Sequence, residues 1–286
     1  MADVDIFLRD IPFVKMSGSG NDFVFIDGRR VDRARVTSPE AIQAICDRRR
    51  GVGADGLVVL EPTMSAEGEA GVGATIFYFN SDGSPADLCG NATLCSTRLA
   101  VDWEIAASTS LVLTTPAGPI RATLCSEQPQ IELPPVSAVT VDSAVEAAPG
   151  ERRIGFALAG IPHLVVLCDD ADTVDVAGRG PVLRRHAAGG PSGANVNWVS
   201  ALPNGRWRYR TFERGVEGET LACGTGAVAT AVLLASWGLV NNSATIQSSS
   251  GRDLDVSLTR DGDRWIPRLS GEGRVVYRGV IENLSW

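Results

Sequence analysis

Histidine and lysine are nearly missing from this chain: its 286 residues include two histidines, His163 and His186, and a single lysine, Lys15. Two imidazoles cannot build a zinc centre of several histidines, and no Cys-x-x-Cys pair replaces them, so the sequence argues against a metal site. Pyridoxal phosphate needs a lysine for its Schiff base, and only Lys15, near the N-terminus, could supply one, so the chain reads as cofactor-free. Long apolar runs are missing too. No stretch approaches eighteen uninterrupted apolar residues, and "MADVDIFLRD" is acidic and broken where an export signal would be basic and then apolar. A cytoplasmic protein that neither spans nor is anchored to a membrane is expected. Positive charge is scarce: the formal net charge is −8, and the densest basic cluster is only "DRRRG", Asp47–Gly51. Such a surface repels phosphate backbones, so nucleic acid is not an expected partner.

What is present is enough for a sizeable core. Hydrophobic residues make up 44% of the chain, sufficient for two soluble domains. The six cysteines, at 46, 89, 95, 125, 168 and 223, lack a secretory context and read as reduced thiols rather than a disulfide framework. An internal repeat gives the organisation. "SGNDFVFID" (19–27) matches "GIPHLVVLCD" (160–169), and "GADGLVVL" (53–60) matches "GANVNWVSAL" (193–202). "TIFYFNSDGSPADLCGNAT" (75–93) then matches "RYRTFERGVEGETLACGTGA" (208–227), in the same order and at a nearly constant spacing. These matches predict two homologous lobes related by a pseudo-twofold axis, each with several short strands and one helix that begins at a Cys-Gly step. The expected boundaries are 1–132 for the lobe carrying Cys89 and 133–273 for the lobe carrying Cys223, with 274–286 returning to the first. The helix after Cys223 is apolar nearly all round and should be buried up to Gly238, whereas the helix after Cys89 reads as more amphipathic. Residues 127–153 read as a crossing segment.

The two Cys-Gly steps carry the chemistry. A thiol at a helix N-terminus faces unpaired N–H groups and the positive end of the helix dipole, which lowers its pKa and prepares it to exchange protons. The N–H groups of Gly90-Asn91 and Gly224-Thr225 offer seats for a carboxylate, and glycine lets the backbone come close to it. Two such units suggest one reaction: a carboxylate held between two helix ends, with a thiol on each side of the neighbouring carbon. One thiolate takes the α-proton, and the opposite thiol returns a proton to the other face. Free cysteine commonly fills apolar cores, and that reading is kept for Cys46, Cys95, Cys125 and Cys168. It fails for Cys89 and Cys223 because both hold the same place in the repeat. "GTGAVA" (224–229) matches a dinucleotide fingerprint formally, but a polar loop precedes it and no acidic residue closes a second strand, so the match is set aside.

The motifs "KMSGSGNDFVFID", "GVGADGLVVLE", "FNSDGSPADLCGN", "GIPHLVV", "GANVNWV" and "TFERGVEGETLACGTGA" together resemble the diaminopimelate epimerase family, cofactor-independent epimerases and racemases that use two cysteines. The resemblance implies a mixed α/β fold of two similar lobes, each wrapping strands around a central helix, with the active site in the cleft between them and a homodimeric assembly. It implies acid/base roles for Cys89 and Cys223, assistance from His163 and Glu213, and substrate contacts from Asn21, Asn80, Asn195 and Arg214. It implies a small amino-acid substrate, foremost LL- and meso-diaminopimelate in lysine and peptidoglycan-precursor biosynthesis. A racemase of another amino acid, an inactive ligand-binding homologue and a thiol-dependent lyase are the rivals. The chain departs from the family at four places. Ala92 and Leu94 replace a glycine and an arginine after Cys89, Ile161 stands where many members carry asparagine, and Gly56 where some carry glutamine. Glu217 reads as a one-residue insertion before Cys223.

Overall fold

The computed structural model describes residues 7–64 and 70–286. The chain divides into two compact units, Met1–Ile131 with Glu272–Trp286, and Glu132–Gly271.

In the first unit the order is β1 (Ile11–Gly18), β2 (Asn21–Asp27), α1 (Pro39–Cys46), β3 (Gly56–Met64), β4 (Ala70–Asn80), α2 (Gly90–Asp102), β5 (Ser110–Thr115), β6 (Gly118–Cys125) and β7 (Gln128–Glu132). β2 pairs antiparallel with β1 and parallel with β3; β4 pairs antiparallel with β3 and parallel with β5; β6 is antiparallel to both β5 and β7. In β2, Phe23 to Asp27 are all buried, the mark of a strand covered on both faces. Strand alternation sends Val24, Ile26, Leu57 and Val59 to one face, where Ile42 and Ile45 of α1 close a core over them. α1 starts cleanly because Ser38 accepts from Ala41 N and Pro39 takes the first turn. The alternate residues, Phe23, Val58, Ile76 and Tyr78 among them, fall on the other face, and α2 runs against β1 to β6.

The second unit repeats this scheme with β8 (Val139–Thr140), β9 (Glu151–Ala159), β10 (Ile161–Cys168), α3 (Val176–Arg184), β11 (Asn195–Ala201), β12 (Trp207–Glu213), β13 (Gly218–Thr220), α4 (Gly224–Ser236), β14 (Ser243–Gln247), β15 (Asp253–Asp261) and β16 (Arg264–Ser270). β10 is antiparallel to β9 and parallel to β11; β12 is antiparallel to β11 and parallel to β14; β15 is antiparallel to both β14 and β16. Val176 and Leu183 of α3 close one face over Leu164, Val166, Val196 and Trp198, and α4 packs on β9, β10, β11, β14, β15 and β16. Even the turns repeat. Gly20 and Gly160, then Gly53 and Gly193, hold left-handed backbone at matching places, where a side chain would be strained. The last strand, β17 (Arg274–Ile281), lies antiparallel to β1, from Ile11↔Ile281 to Ser17↔Arg274.

Two expectations change. α2 is not an amphipathic helix: Gly90 to Thr97, Leu99 and Ala100 are buried, as fully as the core of α4. Its hydroxyls tolerate this because Thr93, Ser96 and Thr97 each donate to the carbonyl four residues back. The passage from the first unit to the second, at Ile131 and Glu132, falls within residues 127–153, and β7, β8 and the start of β9 lie there as well. Cys125 is exposed rather than core, at the end of β6 where Ser126 and Glu127 turn the chain through positive φ. Among the described residues no helix is long and apolar enough to cross a membrane.

Candidate active site

Each unit presents a cysteine as the residue immediately before its central helix. Cys89 (φ −132, ψ 114) and Cys223 (φ −133, ψ 111) have the same extended backbone, and neither side chain caps its helix. Both thiols are therefore left free of capping duty. Gly90-Asn91 and Gly224-Thr225 form the two first turns.

In the first unit, a Cβ on Gly18 would lie 2.8 Å from Asn91 O, so glycine lets β1 meet the helix start. Asn91 is buried, and its Nδ2 donates to Asn21 Oδ1 at 2.7 Å; Asn21 Nδ2 in turn donates to Asp55 at 3.1 Å. Arg48 pairs with Asp55 and Asp22 at 2.7 Å each, and Lys15 pairs with Asp22 at 2.7 Å and donates to Gly53 O. These contacts hold Asp22 down at about 2 against its burial, because Arg48 and Lys15 favour the carboxylate. The single lysine is thus a buried structural cation. Asn80, at the end of β4, accepts from Tyr78 Oη at 3.2 Å and donates to Ser84 Oγ at 3.1 Å. Tyr78 also hydrogen-bonds with Cys89, and burial together with that thiol pushes its phenol well above the usual range.

The second unit houses its thiol differently. Cys223 is 7% exposed. Burial, and then the nearby Glu213, raise it well above an ordinary thiol. The pKa lowering expected from the helix end is overturned here, because desolvation of a thiolate in a dry site outweighs the dipole. Glu213 is itself pushed up by burial, although hydrogen bonds from Thr220 and Cys223 oppose the shift. Asn195 Oδ1 accepts from Arg214 N at 2.8 Å and its Nδ2 faces Cys223 Sγ at 3.7 Å, so one amide ties the Glu213-Arg214 turn to the thiol. Arg214 makes no ion pair with Glu213; among the described residues its guanidinium has no hydrogen-bond or salt-bridge partner.

Behind Cys223 lies a buried polar chain whose proton positions follow from its geometry. Asn197 Nδ2 donates to Leu164 O at 3.0 Å, and Asn197 Oδ1 accepts from Tyr209 Oη at 3.1 Å and Thr211 Oγ1 at 3.0 Å. These partners fix the amide, so its second N–H meets His163 Nδ1 at 3.2 Å. Nδ1 must then be the acceptor nitrogen and Nε2 the protonated one. Nε2 donates to Thr225 Oγ1 at 3.1 Å, which leaves the Thr225 proton for Cys223 Sγ at 3.5 Å. Burial and the charge of Arg214 push His163 down to about 3, so it stays neutral. Helix α4 can lie this close only because position 226 is glycine: a Cβ there would sit 2.2 Å from Tyr209 Oη and 2.5 Å from Asn197 Oδ1.

The structure therefore brings Asn21, Gly90 and Asn91 together around the first helix start, with Asn80 joined to Cys89 through Tyr78. It brings His163, Asn195, Glu213, the Arg214 backbone, Gly224 and Thr225 together around the second. Tyr78, Asn197, Tyr209 and Thr211 were missed from sequence. A signal existed: Asn195 and Asn197, and Tyr209 and Thr211, are polar residues two apart in apolar strands, which places each pair on one face. Glu217, read as an insertion, has φ +54 and pairs with Arg184 at 2.8 Å, fastening the loop after β12 to α3.

Two repeated units, each winding strands around one helix that opens on a Cys-Gly step, define the two-lobed class found in racemases and phenazine-biosynthesis proteins. A PhzF-family phenazine biosynthesis protein from Bacillus anthracis superposes with a TM-score of 0.71 at 14% identity, over 96% of this chain and 99% of that one. A probable proline racemase from Agrobacterium radiobacter gives 0.66 at 17% identity, over 94% and 92%. The family model for diaminopimelate epimerase matches residues 13–141 and 156–277. A diaminopimelate epimerase from Gemmatimonas aurantiaca is 58% identical over 281 residues, covering 95% of this chain and 99% of that protein. The chain belongs to the diaminopimelate epimerase family.

Proposed function

We propose that this chain is an isomerase that interconverts LL- and meso-diaminopimelate by moving one α-proton between Cys89 and Cys223, without a cofactor. The observation that carries this reading is the recurrence of an uncapped cysteine, with matching backbone angles, at the start of the central helix in both units. The relationship to a diaminopimelate epimerase at 58% identity supports the substrate. The N–H groups of Gly90-Asn91 and Gly224-Thr225 receive the carboxylate next to the reacting carbon and stabilise the charge that develops there. Burial keeps Cys223 protonated in the resting enzyme, so the base in that state is Cys89. In the reverse direction Cys223 becomes the thiolate, and the Thr225 hydroxyl, oriented by His163, donates to it. Glu213 and Asn91 Oδ1, an acceptor without a hydrogen-bond partner among the described residues, suit the substrate ammonium, and Arg214 suits a carboxylate. Asn21, Asn80 and Asn195 hold these groups in place. The same reading puts the protein in the cytoplasm as a homodimer, serving lysine and peptidoglycan-precursor synthesis.

The test is incubation with LL-diaminopimelate in deuterium oxide. Formation of the meso isomer with one deuterium at the inverted carbon is the expected result. No exchange with either isomer, but turnover of another amino acid, would transfer the same two-thiol chemistry to that substrate; no turnover of any would leave a binding protein.

A further inference from the structure

We propose that Tyr78 is the hydrogen-bonding partner that supports Cys89 in both of its protonation states, a role filled on the Cys223 side by Thr225 and His163. The proposal rests on the two-thiol reading above for its catalytic meaning, but not for its geometry. Register makes the contrast explicit. Gly56 pairs with Phe23 and Asn195 with His163; Val58 pairs with Tyr78 and Asn197 with Thr211; Leu60 pairs with Ile76 and Val199 with Tyr209. The buried polar set His163, Asn197, Tyr209 and Thr211 therefore has Phe23, Val58, Ile76 and Tyr78 as its counterparts. Of these four, only Tyr78 brings a polar atom to the first helix start.

The phenol is placed with care. Its ring packs edge-on against Phe23, with centroids 6.0 Å apart. A Cβ on Gly56 would lie 2.7 Å from Tyr78 Cε2 and 3.1 Å from its oxygen, so the ring occupies the room a side chain at 56 would need. Its hydroxyl reaches Cys89 and also Asn80 Oδ1, at 3.2 Å. The Asn80 amide is oriented by Ser84 Oγ, at 3.1 Å from Nδ2, so Oδ1 can only accept. One phenolic proton thus has two acceptors. With Cys89 as thiol, S–H donates to the phenol oxygen and the phenol donates to Asn80. With Cys89 as thiolate, the phenol proton turns to sulfur. The two states differ by the one proton that Cys89 exchanges with the substrate carbon; the phenol only turns its O–H and keeps it, so the arrangement serves Cys89 both as base and as acid.

The test replaces Tyr78 with Phe in the full chain and reads the pH midpoint of Cys89 alkylation by iodoacetamide, with peptide mapping to separate it from Cys223. Asp55 and Cys46 act on Tyr78, and Cys89 and Glu272 on Cys95; none of these groups is changed by the substitution. Losing a hydrogen bond to a thiolate should move the Cys89 midpoint up by about one pH unit and leave that of Cys223 in place. If substitution disturbs folding, 3-fluorotyrosine at position 78 keeps the ring and makes a stronger donor, which should move the midpoint down. Unmoved Cys89 midpoints with either residue would overturn the proposal. No substrate is needed, so a failure of the epimerase reading would not be mistaken for a failure of this one.

Discussion

The two helix starts have nearly identical backbones and opposite surroundings. Around Cys223 the strands carry His163, Asn197, Tyr209 and Thr211, a buried and hydrogen-bonded polar chain. Around Cys89 the register-equivalent positions are Phe23, Val58, Ile76 and one tyrosine. The contrast reaches into the helices: Gly226, forced by the polar chain, has Ala92 as its counterpart in a helix that faces Val58 instead. Repetition of the fold supplies two thiols at equal places; divergence of the strands behind them gives each a different proton environment. The two-base reaction proposed above, with a donor on one face and an acceptor on the other, calls for such a difference.

The largest break comes from removing either thiol. Cys89→Ala and Cys223→Ala should each lower turnover by about 10³-fold or more, the scale of a lost general acid or base, measured in both directions with the purified isomers. A variant that keeps near-normal turnover would end the two-base reading. Next in size is Asn197→Leu, which leaves His163 Nδ1 and the Thr211 hydroxyl buried without partners. About 2–6 kcal/mol of stability should be lost by urea unfolding, from about one to three for each of the two stranded groups. ¹⁵N spectra, simple to assign with two histidines, should show Nε2–H at His163 in the parent and lose that single tautomer in the variant.

A third effect is in pH. His163 is held at about 3 when folded, against an ordinary value of 6.5, so only the unfolded chain takes up its proton between those limits. Stability from this group is complete above about 6.5 and is lost as pH falls towards 3. His163→Gln should therefore flatten the fall in unfolding free energy between pH 6.5 and 4; an unchanged slope would show that His163 is accessible to protons in the folded state. The smallest effect is a pair. Gly226→Ala drives a methyl into Tyr209 and Asn197 and should cost about 1–3 kcal/mol. Ala92→Gly should cost only about 1 kcal/mol, the helix propensity of alanine over glycine. Equal costs would mean that the two helix starts are packed alike.

Much of this was legible in the sequence. The repeat, the Cys-Gly helix starts and the end of α4 near Gly238 needed only pattern and spacing. What stayed hidden depended on the third dimension. Helix-end reasoning alone misjudged Cys223, because a dipole is a local property and desolvation is not. Nothing in the sequence singles out Tyr78 in the run TIFYFN, since only the missing Cβ of Gly56 reveals why the ring lies where it does. Ala92 and Leu94, which stand in place of a glycine and an arginine, are fully packed in the first unit, at 1% and 0% exposure. Their first consequence is to the core around α2.

The central claim, that two thiols of different character share one proton transfer, is tested most directly by early turnover of LL-diaminopimelate in deuterium oxide. Deuterium should appear in the meso product while recovered LL substrate carries none, because the thiol that removes the proton is not the thiol that delivers one. Deuterium in recovered substrate and product alike, from the first turnovers, would contradict it.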